Sequence, residues 1–160
     1  MKVSKTTRRV VALTLGSMLF AGWPGMAAAA ARDDKIVSVL RIYERALNGG
    51  DVDGVLRLYA EDGVFMPQHS PPQVGKDAVR AAYEKVFKAI DLNINFDILE
   101  IEILSDTWAF ARTTSSGTTR INATGDKVPE NNQELFVLKK QISGEWEIAR
   151  YIFSTTNPRQ

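Results

Sequence analysis

Residues 36–67, IVSVLRIYERALNGGDVDGVLRLYAEDGVFMP, restrict the possible folds more than any other part of the chain. Ile36, Leu40, Tyr43 and Leu47 recur at steps of four and three, which puts them on one face of a helix. Arg41, Glu44 and Arg45 fall on the other side, and Asp33 and Asp34 sit where negative charge favours a helix start. Asn48-Gly49-Gly50 stops the helix, because glycine takes the left-handed conformation a helix exit needs. Asp51 is placed to cap a second helix whose apolar stripe is Val52, Val55, Leu56 and Tyr59. Glu61-Asp62-Gly63 then releases the chain into a strand at Val64-Phe65-Met66. Helices this short are marginal in water on their own, so they require a sheet to cover.

The rest of the chain supplies that sheet. Pro67-Gln68-His69-Ser70-Pro71-Pro72 is a proline-punctuated loop, and Gly75-Lys76-Asp77 leads into a third helix with Val79, Tyr83, Val86, Phe87 and Ile90 on its apolar face. From Leu92 the period changes to two. Leu92, Ile94, Phe96 and Ile98 alternate with polar residues, and then the frame slips so that Leu99, Ile101 and Ile103 carry the apolar side. A bulge in a long curved strand produces such a slip. Ser105-Asp106-Thr107 is a turn, residues 108–122 form a threonine-rich strand with Gly117 available for a bend, and residues 124–132 read as a polar loop. Residues 134–141 and 145–153 form a last hairpin around Ser143-Gly144. Three helices followed by antiparallel strands give an α+β fold, with the helices packed on one face of a curved sheet.

Residues 1–30 stand apart. Lys2, Lys5, Arg8 and Arg9 form a basic head, residues 10–23 an apolar run, and residues 24–31 a small-residue tail, the three parts of a cleavable export signal. The apolar run falls short of the roughly 20 residues needed to span a bilayer, and Ala-x-Ala sites follow it directly. The expected arrangement is a signal peptide over 1–30 and one domain over 31–160, periplasmic or secreted and without a stable membrane anchor after processing. The whole chain carries a net charge of +1, and losing the four basic residues of the signal leaves about −3. With no basic stripe beyond Lys139-Lys140, nucleic acid is not an expected partner. The chain has no cysteine, so its stability in an oxidising compartment rests on one hydrophobic core.

The opening RIYERALNGGDVDGVLRLYAEDGVF resembles the SnoaL-like and nuclear-transport-factor-2-like superfamily, with its ketosteroid-isomerase-type members, and GEWEIARYIF resembles that superfamily's closing strand. The resemblance spans the whole expected domain, and the nearest sub-group it suggests is one of exported members. It implies a cone-shaped, curved antiparallel sheet with the three helices on its concave face. It does not fix an activity, because the fold hosts isomerases, hydrolases, dehydratases, cyclases and non-catalytic binding or assembly domains. The ketosteroid isomerases have a tyrosine on the first helix that donates to a developing enolate, and Tyr43 holds the matching place. They have a protonated carboxylic acid two residues before a phenylalanine in the penultimate strand, matched here by Glu134 before Phe136. Their proton-transfer base lies in the first strand, where this chain has Pro67, preceded by Met66. Neither accepts a proton, so the resemblance implies an oxyanion pair without its base.

Each candidate has a plain structural alternative. Tyr43 is either a donor to a ligand or a packed ring with its hydroxyl tied to the protein. Glu134 either faces a pocket or ends a strand in water. His69, the only histidine, is either a substitute base at the pocket mouth or a surface loop residue. Arg112 and Arg150 lie on strands and either bind an acidic ligand or pair with neighbouring carboxylates. Phe65, Trp108 and Phe136 complete the set of expected ligand contacts. Asp51-Val52-Asp53 begins like a calcium loop, but Val55 and Leu56 occupy positions that loop needs. One histidine and no cysteine leave no zinc or iron set, and no phosphate-binding loop or nucleophile elbow is present. No metal or cofactor is therefore expected.

The expected function is binding of a small apolar or aromatic molecule in an enclosed pocket. The alternatives are an isomerase, cyclase or hydrolase using Tyr43 and Glu134, with His69 or a water as base, or a homo-oligomeric assembly module. Leu135 and Val137 are apolar on one strand face while Phe136 and Leu138 are apolar on the other, and Ile152 likewise opposes Tyr151 and Phe153. A sheet apolar on both faces needs both covered, which predicts a homodimer.

Overall fold

Tyr43 is fully buried, and the elements around it follow from the pattern that places it there. The computed structural model describes the backbone of residues 24–158 and the side chains of residues 34–158. Helix α1 (Pro24–Gly49) buries Ile36, Leu40, Tyr43 and Leu47, the stripe read from the sequence. Gly50 ends the helix at φ 61°, with the N–H groups of Gly50 and Asp51 donating to the carbonyls of Leu47 and Ala46 at 3.2 and 2.9 Å. Asp51 caps helix α2 (Val52–Leu56) by accepting from the Gly54 N–H at 2.8 Å. Most of the expected signal peptide lies outside the described residues. The small-residue cleavage region, expected to give a mature start between Ala28 and Asp33, belongs to α1.

Arg41 and Glu44 are not on a bare solvent face. They are half-buried against strand β3 (Ile90–Ile103), with Arg41 donating to the Phe96 carbonyl at 2.8 Å and Glu44 accepting from the Phe96 N–H at 2.7 Å. The Asn48 side chain both donates to and accepts from the backbone of Ile94, at 2.8 and 2.9 Å. The helix thereby pairs backbone groups that a sheet-edge strand leaves open.

The chain joins the sheet earlier than the Glu61-Asp62-Gly63 signal suggests. Helix α2 stops at Leu56, and strand β1 runs Tyr59–Met66. Tyr59 and Ala60 are fully buried, and the Leu58 carbonyl already accepts from the Ile148 N–H at 2.7 Å. Exposed Glu61 and Asp62 sit where the register between β1 and strand β6 (Trp146–Thr155) shifts, so the apparent helix breaker is a strand irregularity. Tyr59 accordingly belongs to the strand and not to the stripe of α2. After the loop at residues 67–72 comes a two-residue strand β2 (Gln73–Val74), then helix α3 (Lys76–Ala89), which buries Val79 and Tyr83. Ile90 opens β3 instead of extending the helix.

The sheet has six strands in the order β2-β1-β6-β5-β4-β3, and its ends do not close on one another. Its neighbours pair antiparallel except β1 and β6, which run parallel. The expected bulge is present in β3 between Ile98 and Glu100. Gly117, in strand β4 (Trp108–Ile121), lies so close to β3 that a Cβ there would meet the Asn93 carbonyl oxygen at 2.1 Å. Strand β5 (Lys127–Lys140) corrects the reading of residues 124–132 as a loop, because Lys127 already pairs with Arg120. The inward polar residues of its first half, Glu130 and Asn132, bond to the hydroxyls of Thr119 and Ser115 on β4, so a strand forms without an apolar stripe. Pro129 is tolerated because the pairing of β5 with β6 reaches only as far as Asn132. Helix α1 packs on β3 and β6, and α3 on β1 and β2, leaving the core between helices and sheet.

Candidate functional site

A cavity of about 140 Å³ lies between the helices and the sheet, with Tyr43, Tyr83, Pro67, Glu130, Asn132 and Glu134 on its wall. Helix α1 brings Tyr43, α3 brings Tyr83, and alternate positions on one face of β5 bring Glu130, Asn132 and Glu134. The remaining wall is mostly apolar and aromatic, including Phe65, Leu92, Ile94 and Tyr151.

Three phenols meet beside this space. The hydroxyls of Tyr43 and Tyr83 are hydrogen-bonded, and Tyr59 lies 3.3 Å from the same Tyr83 oxygen. Burial pushes all three well above the usual phenol range, and the neighbouring tyrosines reinforce the shift. They therefore stay neutral at physiological pH. The Tyr43 ring packs edge-on against Phe136 and Tyr151 at 5.5 and 5.4 Å, its hydroxyl is tied to Tyr83, and the residue lines the cavity.

Glu134 is 5% exposed and accepts a hydrogen bond from Thr113, its direct partner across the β4–β5 ladder. Burial raises its pKa above the ordinary carboxyl value. The hydroxyls of Thr113 and Ser115 oppose that shift, and the charge of Glu130 adds to it. The reading in which Glu134 frays into water is thus set aside by its position. In its protonated form, which burial favours, the Glu134 carboxyl can donate to a ligand oxygen, and Tyr43 lines the same cavity with its phenol.

The other candidates divide. Phe65 lines the cavity, stacked on Tyr83 at 4.8 Å and on Tyr151 at 5.6 Å. Phe136 is fully buried and stacks on Tyr151 at 4.3 Å, supporting the wall from behind. His69 is exposed in its loop at φ 60°, away from the wall. Trp108 is 37% exposed, with Lys139 Nζ 5.8 Å from its ring centre. Arg112 pairs with Glu100 at 3.0 Å on the opposite sheet face, and Arg150 donates to the Asp62 carbonyl at 3.1 Å. Pro67, where the resemblance puts a base, does line the cavity. Among the described residues no three His, Asp or Glu side chains converge to hold a metal ion.

Tyr83, Tyr151, Glu130 and Asn132 were not singled out from the sequence. A signal for the last two was present: Glu130, Asn132, Glu134, Phe136 and Leu138 alternate without a break, and the hydroxyl residues Thr113, Ser115 and Thr119 share one face of β4.

The sequence pattern of the SnoaL-like domain matches residues 39–140. The chain belongs to the SnoaL-like family. Among solved structures, this SnoaL-like domain is similar to a ketosteroid isomerase-like protein from Erwinia carotovora atroseptica, at 36% identity and a TM-score of 0.76 over 78% of this chain and 96% of that one. It is also similar to an NTF-2 like protein of unknown function from Shewanella oneidensis, at 25% identity and a TM-score of 0.61 over 77% and 98%. A Catenulispora acidiphila protein solved in complex with S-DNPA shares the fold, at 17% identity and a TM-score of 0.67 over 79% and 94%.

Proposed function

We propose that this SnoaL-like protein is an exported binding protein for a small single-ring molecule bearing an oxygen acceptor. The observation that carries the reading is the cavity of about 140 Å³ between helices and sheet, apolar except for its acid, amide and phenol groups. An engineered apolar cavity of about 150 Å³ takes up benzene. A four-ring steroid is far larger than this space, so the ligand class is narrower than the resemblance to ketosteroid isomerases suggests. The S-DNPA complex of the Catenulispora relative supports small-molecule binding on this fold.

An isomerase-type activity is the second reading, supported by Tyr43 and Glu134 sharing one wall as two donors to a ligand oxygen. Pro67 stands on the same wall and supplies no base, so binding without turnover is the preferred reading. Export rests on the tripartite pattern of residues 1–30. Among the described residues no helix is long and apolar enough to cross a membrane.

The uncovered sheet face supports a homodimer. Leu135 and Ile152 are 39% and 44% exposed and pair across β5–β6, with Phe110 and Val137 on neighbouring rungs. A second copy of the same face would cover this patch isologously.

Native mass spectrometry of protein from its own host, together with calorimetric titration of cyclohex-2-enone, tests the binding reading. The expected result is a small co-purified molecule or uptake of the ketone, lost in Val86→Phe, which fills the cavity. A protein that takes up no single-ring compound and carries none contradicts it.

A further inference from the structure

Asn132 is 7% exposed on the cavity wall, and its Oδ1 is a buried polar atom without a hydrogen-bond partner. Its amide orientation is set by its neighbours. Nδ2 donates to Glu130 Oε1 at 2.8 Å and to Ser115 Oγ at 3.3 Å, which uses both of its N–H groups. Turning the amide over would set its oxygen against the Glu130 carboxylate, so the network itself chooses this orientation. Glu130 is held in turn by the Thr119 hydroxyl at 2.7 Å. The one remaining polar atom of Asn132 is therefore an acceptor, and a buried acceptor left alone is costly. Trp146 Nε1 is also buried without a partner, but Trp146 is not on the cavity wall.

We propose that Asn132 determines the ligand class: its Oδ1 accepts a hydrogen bond from an N–H or O–H group of a single-ring ligand whose oxygen acceptor is held by Glu134. This rests on the reading of the cavity as a ligand site and narrows it. Alternate residues on one strand face are about 7 Å apart. Two hydrogen bonds from that spacing reach polar groups on one edge of a ring in a 1,3 relationship. The matching chemistry is a cyclic ketone or phenol with an amino or hydroxyl donor two ring positions away. Glu130 is a positioning residue, since it orients the amide of Asn132 without needing to touch the ligand.

Three neutral probes separate the contributions. Cyclohex-2-enone carries the acceptor alone, 3-methylcyclohex-2-enone adds bulk, and 3-aminocyclohex-2-enone adds a donor of similar size to the methyl group. Calorimetric titration of the wild type is expected to show the amino compound binding about tenfold tighter than the methyl compound, the size of one well-made hydrogen bond to a buried group. In Asn132→Leu the preference should disappear or reverse. The amino group also strengthens the conjugated carbonyl as an acceptor, so loss of the preference in Asn132→Leu carries the assignment, with Asn132→Ala as the second variant should leucine impair folding. A wild-type ratio of one or less overturns the proposal, as does an equal preference in Asn132→Leu. Uptake of cyclohex-2-enone with exclusion of both substituted rings also overturns it, while leaving the binding reading in place. If none of the three binds, both fall together.

Discussion

Thr113 donates its hydroxyl hydrogen bond to the carboxyl of Glu134 from directly across the ladder, and both residues are buried. That contact favours the charged form of Glu134, yet burial outweighs it and the pKa rises. A carboxyl whose folded pKa lies above its unfolded value stabilises the fold fully below the unfolded value. That contribution is lost as pH climbs through the raised value. Thermal unfolding across pH should show this loss in the wild type and not in Glu134→Gln, which keeps polar contacts but cannot ionise. Thr113→Val, which removes one donor to the charged form, should move the loss to still higher pH.

The Tyr83 hydroxyl is hydrogen-bonded to that of Tyr43 and lies 3.3 Å from that of Tyr59, so it touches both of the other phenols. Tyr83→Phe should therefore destabilise by about 1–3 kcal/mol, because two buried phenols each lose a partner. Tyr43→Phe should cost about 1 kcal/mol. Denaturant titration of the two variants checks the order, which reverses if Tyr43 is the centre of the cluster.

The helix stripe of Ile36, Leu40, Tyr43 and Leu47 was legible because helix period and burial coincide there. The β3 bulge was legible because a one-residue slip in a period-two pattern has few other causes. The start of β1 was hidden because exposed Glu61-Asp62 at a register shift looks the same as a helix terminator. The first half of β5 was hidden for a chemical reason. Its inward residues Glu130 and Asn132 bond to the hydroxyls of Thr119 and Ser115 on the neighbouring strand, and nothing in β5 alone announces those partners. Tyr43 and Glu134 could be placed from the resemblance, but the acceptor on Asn132 appears only once the two strands are in register.

Dimerisation is tested at the exposed sheet face. Leu135→Glu puts a charge into the middle of the apolar patch and leaves the buried face of β5 untouched. Sedimentation at micromolar concentration should give a dimer for the wild type and a monomer for the variant. A stable wild-type monomer contradicts the proposal.

Pro67→Asp places a carboxylate on the cavity wall where the resemblance expects a base. The wild type should catalyse no hydrogen exchange at the carbon next to the carbonyl of cyclohex-2-enone, and the variant should show a trace. NMR in deuterated water measures both. Exchange by the wild type would revive the enzyme reading and require another base.

Protein recovered from the exporting host should begin between Ala28 and Asp33, where the small-residue run offers a cleavage site. Intact mass checks this, and Met1 retained on protein shown to be exported contradicts it.

The central claim is that a protonated Glu134, with Tyr43, holds a ligand oxygen in the cavity. Cyclohex-2-enone accepts hydrogen bonds, donates none and does not titrate, so any pH dependence of its binding belongs to the protein. Calorimetric titration from acid to alkaline pH is the direct measurement. The account predicts tight binding at low pH that weakens as pH rises through the raised Glu134 pKa, and a flat profile for Glu134→Gln. Wild-type affinity that is the same at every pH, and unchanged by that substitution, contradicts it.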